Sequence, residues 1–350
     1  MDNSINFNYI NTICNANDHT MEEALHQYIK GKVHPLIMSF AGKKIIVRGK
    51  YERTISSINT NEKTDKLFNW KRPTAEISQD KQTLFLNCFP GQDYLYHYAS
   101  ILSSYLNLHA IKNIKVSVEP LAANACANEL LKTNLTEIPK CDTVILGIVE
   151  KLHSFTKYNP WQGADDFCWS ETSAHRKKII LLGCKFSFWG DIAGNLVSLL
   201  ASKKIKTVIY TGKLGGLQPN MQPNLMLATG NNSILLGKEV SWNNIFSNSL
   251  DTSTMNSGAH YTLPSVLYED KSWFNGVGRK YAFVDPEIGW MAHAAKTSDI
   301  NFSYIHIISD NLAKVRKENL SNERNKNILQ KRRLSTQKIL NIIRTNVDLM

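Results

Sequence analysis

The sequence predicts an α/β protein: a mixed, mostly parallel sheet flanked by helices, with an N-terminal α/β extension. Three observations lead there. Apolar runs such as CDTVILGIVE, KKIILLGC and TVIYTG are strand-length and almost free of polar residues, as in strands buried on both faces. They alternate with stretches of helical period, among them GDIAGNLVSLLASKK, which is apolar at 192, 193, 196, 197 and 200. The 350-residue chain is 43% hydrophobic and 20% charged, enough for a large packed core.

In chain order, residues 1–80 are rich in Asn, Thr, Ser and Lys and offer one helix, MEEALHQYIK, and one strand, KKIIVRGKY. Strand TLFLNCF, helix YLYHYASILSSYL, strand IKVSVEPLA and helix NACANELLK follow, a βαβα alternation, with PGQD at 90–93 as a strand-to-helix turn. The boundary of the extension falls near residue 140. It is expected to be a separate module or extra strands on the same sheet. From 141 to 350 the α/β pattern strengthens. NLMLA, LPSVLYE and FSYIHII are further strand candidates, and two helices close the chain.

No apolar run approaches the roughly 18 residues that span a membrane, and the N-terminus lacks a basic start followed by an apolar stretch. Six scattered cysteines form no CxxC pair and no zinc-spaced Cys/His cluster, so they read as reduced thiols of a cytoplasmic protein without a metal site. The net charge is +11, and residues 311–350 hold ten Lys and Arg against three Asp and Glu. That basic end reads as the solvated face of an amphipathic helix packed through Ile328, Leu329, Leu340 and Ile343. No stacking aromatics interleave with its charges, so nucleic acid is not the expected partner.

VIYTGKLGGL, residues 208–217, sets a β-branched run against Gly212, Gly215 and Gly216, with Lys213 between the first two. Glycines there permit a tight turn and close approach to another molecule, and open α/β sheets bind ligands at such strand ends. A tight connection without a ligand fits equally. In FVDPEIGWMAHAAKTSD, Asp285 suits an N-cap and Pro286 the first helical position. Glu287 then lies in the first turn, where the helix dipole favours its ionised form. It either accepts hydrogen bonds from a vicinal diol or only complements the dipole. Asp310 ends an apolar strand, as a proton donor with a raised pKa or as a helix N-cap.

Together these segments resemble the nucleoside phosphorylase and nucleosidase superfamily. TVIYTGKLGGL is similar to its T-G-S-A-G-G-L segment, FVDPEIGWMAHAA to V-E-M-E or V-D-M-E, and FSYIHIISD to a final strand ending I-S-D. VILGIVE at 144–150 is similar to the family's opening strand. The resemblance covers roughly residues 141–350. It implies that Glu287 holds ribose hydroxyls, that Asp310 protonates or hydrogen-bonds the leaving purine, and that the glycines lie below the ribose. It implies a small-molecule nucleoside or nucleotide as partner, no metal or organic cofactor, and a homo-oligomer.

The departures bear on the reaction. Tyr210 and Lys213 stand where phosphorylases of one branch carry a phosphate-binding arginine and a Ser or Thr, which favours hydrolysis over phosphorolysis. Glu150 is then the candidate for activating water, and Lys213 for meeting a carboxylate or a ligand anion. Pro286 replaces a methionine that commonly packs on the ribose. In KFSFWGDIAGN, Phe186, Phe188 or Trp189 are candidates to stack on a base, at least one of them being core, and Phe188 stands at the first glycine of the family's G-x-G turn. His260 in SGAHYTLPSVLYE is a candidate donor or a structural histidine. Phosphorolysis with a rebuilt phosphate site, or a catalytically silent nucleoside or nucleotide sensor, are the other readings.

Overall fold

The computed structural model describes residues 12–54, 66–174, 176–247, 255–314 and 325–346. The N-terminal stretch 1–11 and the parts of the basic end at 315–324 and 347–350 lie outside the described residues.

Two sheets share one interior. The N-terminal unit builds a four-stranded sheet from β1 (Lys44–Arg48), β2 (Thr74–Ile77), β3 (Thr83–Asn87) and β4 (Lys115–Val118), in the order β2-β3-β1-β4. β1 runs parallel to β3 and β4, and β2 antiparallel to β3. α1 (Ala24–Lys32), α2 (Gln92–Leu108) and α3 (Ala125–Leu131) accompany it. The expected βαβα order holds, with β1 inserted between β3 and β4.

The second sheet begins with β5 (Thr143–Gly147), β6 (Phe167–Ala174), β7 (Lys177–Cys184) and β8 (Thr207–Gly216). It continues through β9 (Leu227–Thr229), β10 (Asn232–Leu235), β11 (Lys238–Ser241), β12 (Met255–Ser257), β13 (His260–Thr262), β14 (Phe283–Asp285) and β15 (Asn301–Asn311). Six of its ten pairings are parallel, so the sheet is mixed and mostly parallel. α4 (Asp191–Ser202) and α6 (Ile288–Thr297) pack against each other, α5 (Lys271–Gly276) is short, and α7 (Lys326–Thr345) closes the chain.

The five predicted apolar positions of α4 are all buried. In α7, Ile328, Leu340 and Ile343 are buried as predicted, whereas Leu329 is exposed and Ile339 takes its place in the core. LPSVLYE is not a strand. Pro264 lacks a ladder donor and the Ser265 hydroxyl accepts from the Leu267 N–H at 3.0 Å, so Val266–Tyr268 closes into a 3-10 turn.

Ile45, Val47, Leu84 and Leu86 of the first sheet belong to the same buried cluster as Val144, Leu146, Leu196 and Met291 of the second. Among the described residues the extension adds no strand to the second sheet, yet it is joined to it through a common core. Polar links join the units as well, two of them centred on Asp166 and Asp191. Asp166 is buried at the junction, accepting from Tyr51 Oη at 2.7 Å and Lys71 Nζ at 2.8 Å, with Arg53 Nε 3.2 Å away. At the other link, Asp191 Oδ2 accepts from the Gln92 N–H at 2.9 Å and Oδ1 from the Asp93 N–H at 3.1 Å, while Asp93 Oδ2 accepts from the Asp191 N–H at 3.2 Å. Helices α2 and α4 thus satisfy each other's amino-terminal donors.

All six cysteines carry free thiols, Cys141 half-buried and the others buried. Among the described residues no helix is long and apolar enough to cross a membrane.

Candidate functional site

β8 is flanked along its whole length by β15 on one edge. On the other edge β5 pairs with it from Thr207 to Thr211, and β14 pairs with Gly215 and Gly216 in the opposite direction. β5 and β14 therefore point at each other along one edge of β8, and Gly212, Lys213 and Leu214 lie in the break between them. At the end of β5, Gly147 has φ +100°, and a Cβ there would overlap the Thr211 carbonyl oxygen. Only glycine allows the chain to leave β8 so abruptly. The turn beyond β5 carries Glu150, and Glu287 stands at the N-cap position of α6 beyond β14, two residues later than the expected cap at Asp285.

The start of α6 is fixed by a hydrogen-bonded ring. Asp285 Oδ1 accepts from the N–H groups of Glu287 at 3.1 Å and Ile288 at 2.9 Å, and Thr262 Oγ1 accepts from Gly289 at 2.9 Å. Ser233 Oγ lies 3.0 Å from Thr262 Oγ1 and 2.8 Å from His260 Nδ1, and His260 Nε2 lies 3.1 Å from Asp285 Oδ1. Every side chain in this ring is buried.

Asp285, not Glu287, takes the charge of the helix terminus. The Glu287 carboxyl is buried beside Asp285, and burial followed by that neighbouring charge hold its pKa well above the usual carboxylate range. Both oppose the ionised form expected at the helix start. The Gly190 N–H faces it, and Tyr210 Oη donates to its Oε2 at 3.4 Å.

His306 of β15 packs edge-on against Tyr210, ring centroids 4.5 Å apart, with Nε2 4.0 Å from Asp285 Oδ2. Burial lowers its pKa to about 4, so the ring is neutral at pH 7. Gly212 makes room for it: a Cβ there would lie 2.8 Å from His306 Nε2. The open sides of Gly215 and Gly216 face Val284 and Leu312, and Met221 and Ile308, respectively.

Asp310 pairs with Gly215 across a bulge in β15, its Oδ1 3.5 Å from the position a Gly215 Cβ would take. It is half-buried. Burial raises its pKa, opposed by the Ser309 hydroxyl at 3.0 Å and by the charges of Arg332 and Lys213. Side chains alternate along a strand, so Lys213, Gly215 and Asp310 project from one face of the sheet, and Tyr210, Gly212 and His306 from the other. The structure brings Glu287 together with Tyr210, His260 and His306, and Asp310 together with Lys213. Val284, Gly215 and Asp310 are neighbours on three adjacent strands, and Glu287 follows three residues beyond Val284, on the Tyr210 side of the sheet. Two strand spacings, about 10 Å, separate the backbone of Asp310 from that of Val284.

Glu150 is half-buried, with Lys151 Nζ at 3.6 Å. Lys213 is exposed, so no desolvation cost forces it onto a ligand. Phe188 is half-buried, its ring edge-on to Tyr210 at 5.9 Å. Phe186 is the core member of its loop, stacked on Phe89 at 4.0 Å, and Trp189 stacks on His97 at 4.1 Å. His306, Ser233 and the capping role of Thr262 escaped the sequence reading. The signal for His306 is a lone polar residue in an apolar strand, which must find a partner when buried.

No family model matches the chain. It is 25% identical over 255 residues to "Oxidoreductase cns1" of Cordyceps militaris, covering 65% of this chain and 32% of that protein. The chain thus spans about a third of the length of the curated relative it matches. Among solved structures it is similar to a futalosine hydrolase mutant of Helicobacter pylori strain 26695 (TM-score 0.45, 14% identity, 59% of this chain and 99% of that one). It is also similar to the Campylobacter jejuni 5'-methylthioadenosine/S-adenosyl homocysteine nucleosidase (TM-score 0.45, 12% identity, 58% and 98%). A third is uridine phosphorylase from Vibrio fischeri (TM-score 0.47, 12% identity, 58% and 90%).

Proposed function

We propose that the chain binds a purine nucleoside or nucleotide at the break between β5 and β14 and cleaves its N-glycosidic bond, with water as the attacking group. The observation that carries this reading is the head-to-head arrangement of those two strands on β8. It leaves a glycine-lined interruption with Glu150 at one end, Glu287 at the other and Asp310 across Gly215. Glu287 engages the sugar hydroxyls. Asp310, whose pKa burial raises, gives its proton to the base as the bond to the anomeric carbon breaks and its electron pair passes to the base nitrogen. Water adds to that carbon and its proton goes to Glu150. Lys213 and Phe188 border the ligand, and the resemblance of the sequence motifs to those of nucleosidases agrees with the substrate class.

The test is to incubate the protein with purine nucleosides and nucleotides, with and without phosphate, and to measure free base. Release without phosphate, reduced about 100-fold or more in Glu287→Ala and Asp310→Ala, supports the reading. Strict phosphate dependence replaces hydrolysis by phosphorolysis. One observation favours a second reading, a nucleoside-binding sensor: the Glu287 carboxyl is already engaged by Tyr210 on the face away from Asp310. Binding without turnover establishes it.

A further inference from the structure

The break in the sheet lies in residues 141–350, yet one side chain of the N-terminal unit reaches both flanks of Glu287. Asp93, in the first turn of α2, is fully buried. Its Oδ2 accepts from the Asp191 N–H at 3.2 Å and from Trp290 Nε1 at 2.7 Å. The first bond fixes the start of α4, immediately after Gly190, whose N–H faces the Glu287 carboxyl. The second fixes the first turn of α6, three residues beyond Glu287. Gly190 adopts φ +56° and ψ −124°, and a Cβ there would overlap the Asp93 carboxylate. Contact between the Gly190 backbone and Asp93 is thus direct, and only glycine fits. The flanking residues reinforce the arrangement. Trp189 donates to the Pro264 carbonyl at 2.8 Å and stacks on His97 of α2, whose Nδ1 lies 2.7 Å from Ser265 Oγ. Phe188 rests edge-on against Tyr210, which donates to Glu287.

We propose that Asp93 is a positioning residue for Glu287, so that the N-terminal unit forms part of the site's machinery and is not an appended module. One carboxylate oxygen ties together the two segments that bracket Glu287, the Gly190 turn and the first turn of α6. Loss of that tie lets the Gly190 N–H move off the carboxyl. The proposal rests on Glu287 lying in the functional site, but its geometry is independent of which reaction occurs there.

The experiment follows the ionisation of Glu287 in the full chain by carbon NMR of ¹³C-carboxyl-labelled glutamate, the resonance being assigned by its loss in Glu287→Gln. The charged and titratable groups around Glu287 are Asp285 on β14, Tyr210 on β8, His260 on β13 and His306 on β15, with Asp93 and Asp191 at the helix starts. The Gly190 N–H favours the carboxylate. Asp93→Ala is therefore expected to raise the Glu287 midpoint by about one pH unit, and Asp93→Asn to raise it less. Asp166→Asn, which disturbs the other link between the units, leaves it in place. An unmoved midpoint in folded Asp93→Ala overturns the proposal, as does an equal shift in Asp166→Asn. Should Asp93→Ala fail to fold, an unmoved midpoint in Asp93→Asn overturns it. The readout needs no substrate, so absence of base release refutes the proposed reaction without touching this result.

Discussion

The imidazole of His306 lies directly on Gly212, where a Cβ would stand 2.8 Å from Nε2. The two residues face each other across the β8–β15 pairing. Gly212→Ala is expected to destabilise the fold by about 1–3 kcal/mol through overpacking, read from denaturant midpoints. In the background of His306→Ala, which vacates the space, the same substitution is expected to cost much less. Equal costs in both backgrounds would show that the ring is not what requires the glycine.

Asp285 holds two backbone N–H groups and lies 3.1 Å from His260 in a buried setting. Asp285→Ala leaves all of them without an acceptor and is expected to cost about 3–5 kcal/mol. Asp285→Asn keeps one oxygen acceptor and is expected to cost less. Urea unfolding of both variants checks the order.

How much of this was readable beforehand follows from what each residue needs. Asp285-Pro286, the apolar stripe of α4 and the strand reaching Asp310 are local signals that predict the elements, although α6 begins at Ile288, two residues later than those two residues suggest, with Asp285 still accepting from its first N–H groups. The break in the second sheet depends on which strands pair with β8, and pairing is non-local. Nothing in VILGIVE says that the β5 pairing stops at Thr211, nor in FVD that Phe283 and Val284 pair antiparallel with Gly216 and Gly215. The ionisation of Glu287 was misread for the same reason. A helix dipole is visible in sequence, but the burial that opposes it comes from non-local packing: Tyr210 and Gly190, which face the carboxyl, lie more than seventy residues away. Short strands such as β13 carry too few residues to show a period.

Acid is expected to weaken the fold through its buried histidines. Burial lowers the pKa of His19 to about 4, His97 to about 3 and His306 to about 4, from 6.5. Their folded values lie below the unfolded one, so the stability they confer is complete above pH 6.5 and is lost as pH falls through those values. Asp191, raised to about 6, has the opposite sign: its contribution is complete below the ordinary carboxylate range and is lost as pH rises through about 6. His97→Asn removes one titrating group. It is expected to flatten the loss of stability between pH 6 and 4 by about 1.4 kcal/mol per pH unit, measured from denaturation at several pH values. An unchanged slope would show that His97 does not titrate on unfolding.

Ion pairs of similar length are expected to differ in value by burial. Lys71 and Asp166 are 2.8 Å apart with 12% and 1% of their side chains exposed, against 3.3 Å and 74% and 30% for Lys206 and Asp142. Asp166→Ala leaves Lys71 without a buried counter-charge and Arg53 with Glu129 alone, and is expected to cost about 3–5 kcal/mol. Lys206→Ala is expected to stay within about 0.5 kcal/mol. Thermal melts of the two variants, compared with the parent, check the contrast.

Because Ile45 and Leu84 share an interior with Val144 and Met291, no seam between the two sheets is seen among the described residues. A gene cut near codon 140 would yield two polypeptides, each with a greasy flank turned to water. The pieces should precipitate alone and dissolve only when produced together. Selection must therefore have handled both sheets as one inheritance.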